Sequence, residues 1–292
     1  MRFSSICKIA ALMAAAFASI PASALDADAG DYTALPAGTN LALLYYQHAT
    51  RDELYANGSK VPGSNRLDSD VGILRGVHFM DIGGTIVDPQ FLLPFGTLKA
   101  KDNLSALGDT SGVGDLILGA TVWLLNNPKA NTYVGVTPWV YAPTGSYDKN
   151  RALNLGENRW KYALQLGFIT GLTDKLLLDL IGDVTWYGKN DDFGPTSATM
   201  KQRAMYEFQA YLRYQLTPTW DVRMGALHYS GGETEVNGVM QNDRTRTTKF
   251  TVGTAFFVTP KIQLMANYGQ DGSVHNGLRE NNRLNLRFLS VF

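Results

Sequence analysis

The stretch Lys201-Gln202-Arg203-Ala204-Met205-Tyr206-Glu207-Phe208-Gln209-Ala210-Tyr211-Leu212-Arg213-Tyr214-Gln215-Leu216 divides into two sets by parity. Its odd positions carry Lys201, Arg203, Met205, Glu207, Gln209, Tyr211, Arg213 and Gln215; its even positions carry Gln202, Ala204, Tyr206, Phe208, Ala210, Leu212, Tyr214 and Leu216. A helix would scatter both sets around its circumference, whereas a strand sends successive side chains to opposite faces. One face is charged and the other apolar and aromatic. The split recurs at Trp220, Val222, Met224 and Ala226 against Asp221 and Arg223, at Phe250, Val252 and Phe256 against Lys249 and Thr251, and at Leu284, Leu286 and Phe288 against Arg283, Asn285 and Arg287.

Between such segments two kinds of connection alternate. Tight turns are expected at Gly83-Gly84, from Asn126 to Asn131, at Thr173-Asp174-Lys175, at Thr217-Pro218-Thr219 and at Thr259-Pro260-Lys261. Longer polar stretches fall at 50–69, 96–111, 143–158, 188–200, 231–244 and 271–279. An antiparallel transmembrane barrel produces this alternation, with short periplasmic turns and long outer loops. The count comes to about 12 strands, an even number with both termini toward the periplasm. A soluble β-sandwich shows similar periodicity. Aromatics near segment ends argue for membrane girdles instead: Trp123, Trp160, Trp186, Tyr187, Trp220, Tyr229 and Tyr268. The apolar sets are therefore assigned to lipid.

The rest of the chain agrees. Arg2 and Lys8 precede an apolar run from Ile9 to Ile20 that ends at Ala22-Ser23-Ala24, which reads as an export signal over residues 1–24. That run is too short for a membrane helix of about 20 residues. Residues 25–39 are expected as a short periplasmic segment and 40–292 as the barrel, placed in the bacterial outer membrane. The only cysteine, Cys7, goes with the signal, so neither disulfide nor thiolate metal site is expected. The loss of Arg2 and Lys8 leaves 24 basic against 26 acidic side chains. That balance gives no reason to invoke nucleic acid.

Three segments fit poorly. Pro138 interrupts Tyr133–Tyr141, and Pro89 and Pro94 flank Phe91. Arg75 sits with Val71, Ile73, Val77 and Phe79 on what is otherwise a lipid face, where a basic residue at mid-membrane costs roughly 2–4 kcal/mol.

Leu93-Pro94-Phe95-Gly96, Ser111-Gly112-Val113-Gly114-Asp115 and Ala142-Pro143-Thr144-Gly145-Ser146-Tyr147, with Gly156, Asn158 and Trp160 leading into a strand, resemble the outer-membrane family named after the meta-cleavage pathway of phenol degradation. Its barrel is similar to that of functional-amyloid export porins. The resemblance covers nearly the whole mature chain and implies a channel or transporter for small, often hydrophobic compounds. Amyloid exporters carry a helical periplasmic extension, for which the roughly fifteen residues from Leu25 to Thr39 leave no room.

The expected lumen carries Lys161, Lys201, Arg203, Arg213, Arg223, Lys249, Arg283 and Arg287 with Asp115, Asp179, Asp183, Glu207 and Asp221. These charges either line a polar pore with a mild preference for anions or pair across strands and fill the interior. Barrels of about 8 strands are packed solid and those of 16–18 open, so strand number leaves both readings standing. The alternatives to passive transport are a plugged structural or adhesive barrel and a lipid-acting enzyme. For the last, His48, His78, His228 and His275 are scattered, and only His228 has a nearby hydroxyl, Ser230. Asp191-Asp192 and Asp68 with Asp70 lack the ligand spacing of a calcium loop, and Gly112, Gly114 and Gly119 lack that of a dinucleotide fingerprint. No catalytic residue, cofactor or metal is expected. The expected partners are outer-membrane lipid and lipopolysaccharide, the barrel assembly machinery through a last strand ending at Phe292, a small solute, and, as one alternative for the assembly, a homotrimer.

Overall fold

The computed structural model describes residues 26–292; the export signal expected over 1–24 lies outside them. Twelve strands form the wall. They are β1 (Asn40–Ala56), β2 (Asn65–His78), β3 (Thr85–Asp102), β4 (Leu116–Asn127), β5 (Thr132–Ala142) and β6 (Lys161–Gly171). There follow β7 (Leu176–Tyr187), β8 (Met205–Thr217), β9 (Trp220–Gly231), β10 (Thr245–Thr259), β11 (Ile262–Val274) and β12 (Gly277–Val291). Each pairs antiparallel with its chain neighbours, and β1 closes on β12 from Leu41 opposite Val291 to Tyr55 opposite Gly277. Closure removes the unpaired edge that lipid would not tolerate.

The parity of Lys201–Leu216 holds where it lies in the wall. Phe208 is 52% exposed toward lipid, while its neighbour Gln209 is fully buried. Trp220, Val222, Met224, Phe250, Val252, Leu284, Leu286 and Phe288 are likewise on the outer face. The girdle assignment holds for Trp160, Trp186, Trp220 and Tyr268, which are exposed. Trp123 is instead buried in the interior, Tyr187 lies under the Arg159 guanidinium and Tyr229 bonds Asp26.

The expected turns are present, but four of the six outer connections are shorter than the polar stretches that marked them, while those after β5 and β7 run slightly longer. β1 runs on to Ala56 and β2 begins at Asn65, and only His275 and Asn276 separate β11 from β12. Strands of up to 18 residues exceed the roughly 9–11 that cross a bilayer. Polarity at 50–56 and 271–274 thus marks the exit from lipid, not the end of the strand. Above the rim, Asn190–Phe193, Ala198–Gln202, Thr234–Val236 and Val239–Met240 form a separate four-stranded sheet.

The prolines have structural causes. The β4–β5 ladder skips from Gly119–Trp139 to Val122–Val136, passing over Pro138, which has no N–H to donate. At Pro94, β3 changes partner: below it pairs with β4 through Leu92–Ile117, and above it with the short strand Asp109–Val113. The three motifs carrying the family resemblance meet at this seam. Gly114 N–H donates to Pro94, Ser146 N–H to Val113, and Gly145 N–H to the Asp115 carboxylate at 3.0 Å.

Arg75 needs a correction. Ile73, Val77 and Phe79 are buried inside the barrel, so the odd face of β2 is the interior one and Arg75 points into the lumen. The apolar pattern there reflects a packed interior, and lipid instead meets Leu74, with the Phe91 and Phe95 rings covering Gly76 and Gly72.

Candidate functional site: a lumen closed from within

Residues 26–39 do not hang free in the periplasm. From Asn40, at the periplasmic rim beside Phe292, the chain turns up into the barrel, burying Ala34, Tyr32, Ala29, Asp28 and Ala27 among the wall strands. Its last described residue, Asp26, reaches Tyr229 Oη at 2.6 Å, near the outer end of β9. The correction has a physical cause. The segment carries carboxylates at Asp26, Asp28 and Asp31, and the barrel wall offers buried cations that need partners.

The lumen has two unlike walls. One, built from β1, β2 and β9–β12, is basic and holds the acidic side of the segment. Asp31 pairs with Arg75 at 2.7 Å and Arg287 at 2.9 Å, and Asp28 with Arg287 at 3.1 Å. Asp26 lies 3.6 Å from Arg283 and 3.8 Å from Lys249, and Arg223 donates to the Ala29 carbonyl at 2.7 Å. The opposite wall, β3–β7, is aromatic and apolar: Trp123, Tyr133, Trp139, Tyr141, Ile169 and Ile181 are buried there.

Tyr32 crosses to that second wall. Its ring lies against Gly135 and Gly167, which stand opposite each other on β5 and β6, and meets Trp123 edge-on at 5.9 Å between ring centres. Its hydroxyl contacts Thr137 Oγ1 at 2.9 Å and donates to Gln165 Oε1 at 3.0 Å. A cavity between the two walls, lined among others by Asp28, Asp31, Arg75, Gln90 and Trp139, has a volume of about 30 Å³. That is room for about two waters.

Of the expected lumen residues, most do face inward. Lys161 bonds Glu157 and lies 4.3 Å over the Tyr141 ring, and Arg213 pairs with Asp179 at 2.9 Å. Arg223 pairs with Asp221 at 2.6 Å, Lys249 with Glu280 at 2.7 Å, and Asp183 accepts from Gln165 at 3.2 Å. Glu207 also faces inward, with Oε1 unpartnered. Arg283 and Arg287 hold the segment as described. Lys201 and Arg203 are the exceptions. Their side chains are 62% and 71% exposed, paired with Glu235 and Glu233 above the barrel, because the chain leaves the wall before Met205 and the alternation continues into the outer sheet. Asp115 is a wall fixture, accepting Gly145 and Glu157 N–H at 3.0 Å each.

Sequence reasoning missed Asp26, Asp28, Asp31, Tyr32, Arg51, Arg75, Asp88 and Glu280 as interior groups. The spacing of aspartates in Asp26-Ala27-Asp28-Ala29-Gly30-Asp31 was the available signal. The histidines are dispersed: His228 lies on the outer face and bonds Thr248 at 2.9 Å, and His275 stands in the β11–β12 turn. Asp68 pairs with Arg66 and Lys101, Asp70 with His48, Asp191 with Lys189 and Asp192 with Lys149. Among the described residues no group of three or more His, Cys, Asp or Glu side chains is placed to hold a metal ion.

A closed antiparallel barrel with a lipid-facing apolar belt and a charged, segment-filled interior defines a transmembrane barrel of the outer-membrane channel class. Residues 50–288 match the family described as "Putative MetA-pathway of phenol degradation", and the chain belongs to that family. It is 46% identical to the COG4313 outer membrane channel from Pseudomonas putida F1, covering 91% of this chain and 100% of that one with a TM-score of 0.89. It is therefore an outer-membrane channel protein and not an enzyme. The β domain of the Bordetella autotransporter BrkA (11% identity, 88% and 100% coverage, TM-score 0.52) and the translocator domain of the autotransporter NalP from Neisseria meningitidis (10%, 99% and 97%, 0.50) share the fold alone. No curated protein sequence matches the chain.

Proposed function

We propose that this protein is a passive channel for small hydrophobic or aromatic compounds, shut in the present conformation by residues 26–39. One observation carries the reading: the interior is closed by a chain segment joined to the wall at one end, at Asn40, and held through ion pairs and one aromatic contact. Its withdrawal leaves a passage with a basic side and an aromatic side. The residues that would set anion preference are then Arg75 and Arg287, whose charges the segment answers, while Arg283 is shared between Asp26 and Glu280 of the wall. Arg213 and Arg223 are answered by Asp179 and Asp221 of the wall itself.

The same filled interior favours a second reading, a plugged structural or adhesive barrel. Conductance in a planar bilayer separates the two. The channel reading expects brief, rare openings from the full chain and sustained current from a chain lacking residues 26–35. Silence from a folded, truncated barrel supports the plugged one.

A further inference from the structure

We infer that the solute class is a hydroxylated aromatic carboxylate, and that Asp31-Tyr32 occupies its place as an internal mimic. The inference rests on the channel reading and adds the ligand chemistry. Tyr32 presents a phenol to a slot whose floor is the glycine pair Gly135 and Gly167, which lack the side chains that would fill it. Trp123 closes one edge, and Thr137 with Gln165 bind the hydroxyl. The adjoining residue, Asp31, presents a carboxylate to Arg75 and Arg287.

The two subsites form one polar relay. Arg75 donates to Gln90 at 2.7 Å, Gln90 donates to Thr121 at 3.1 Å, and the Thr121 and Thr137 hydroxyls lie 3.0 Å apart. All of these side chains except Arg287 line the same cavity or, like Trp123, its aromatic edge. A neutral aromatic ring would displace Tyr32 but leave Arg75 and Arg287 facing a segment still held by Asp31. A simple carboxylate would meet the arginines without vacating the slot. Only a molecule with both features answers both groups, since a segment driven off without a replacement carboxylate would leave buried arginines unpaired.

Displacement can be read directly, because no cysteine follows Cys7 in the sequence. With Ala29→Cys in the full-length barrel in proteoliposomes, the rate of labelling by a water-soluble maleimide reports withdrawal of the segment. The expected result is a tenfold or greater acceleration by 4-hydroxybenzoate, with less than twofold from acetate or phenol at the same concentration. Gly167→Ala, which drives a methyl into the Tyr32 ring, should accelerate labelling without any ligand. Equal effects of the three probes, or none while Gly167→Ala labels fast, overturn the ligand class. Slow labelling of a folded Gly167→Ala barrel overturns the slot itself. Failure of the channel reading is seen elsewhere, as absence of current from the truncated chain, and the inference falls with it.

Discussion

At the scale of single residues, the docking of the segment is concentrated in a few buried ion pairs. Asp31 is the partner of both Arg75 and Arg287. Removing one member of a buried pair costs about 3–5 kcal/mol because the other is left uncompensated. Asp31→Asn is therefore expected to loosen the segment by an amount of that order, seen as a marked rise in open probability in planar bilayers; unchanged gating would refute the role given to this pair. Side-chain direction matters as much as side-chain charge. Leu212 and Arg213 are adjacent, yet one meets lipid and the other Asp179. Leu212→Arg should destabilise the barrel by about 2–4 kcal/mol near mid-membrane, measured by reversible unfolding in lipid vesicles. Arg213→Lys at the next position keeps its charge inside and should cost less.

At the scale of elements, parity was readable where the interior is polar and unreadable where it is not. On β8 to β12 the charged face announces the lumen. On β2 to β5 the inner face is mixed, with Ile73, Leu92, Trp123 and Tyr133 beside Asp88, Gln90, Thr121 and Thr137, so parity gives no clean charged face and Arg75 reads as a fault in a lipid face. The segment itself reads as a short periplasmic stretch, being acidic and interrupted by Pro36 and Gly38. Its partners lie as far along the chain as Arg287, so the spaced aspartates signal a need for cations without saying which ones they meet. The outer connection between β5 and β6 is an element whose pH response follows from its ion pairs. Burial pushes the Glu157 carboxyl up, but Lys161 and Arg159 beside it outweigh that and hold it down at about 2. A carboxyl lowered on folding stabilises above its ordinary value and loses the contribution as pH falls toward the folded one. Hydrogen exchange in 143–160, corrected for intrinsic rates, should be unchanged from about pH 7 to 5 and should quicken between about 4.5 and 2. Equal protection at both ends of that lower window would contradict the assignment.

At the scale of the whole molecule, the barrel and its contents are one covalent unit. The wall is complete without the segment, since β1 and β12 close on each other along a register that residues 26–39 do not enter. Removing residues 26–35 should accordingly leave a folded, heat-modifiable barrel while abolishing its closure, a dissociation that band shift on gels and bilayer current together can check. Because the segment is leashed at Asn40, its return is a first-order event whose frequency does not depend on how many copies the membrane holds. Short flexible tethers impose a local concentration on the order of millimolar. A competing solute has to outdo that standing rival, so half-maximal flux should need a higher solute concentration than in the barrel lacking residues 26–35: scarce molecules meet a shut door.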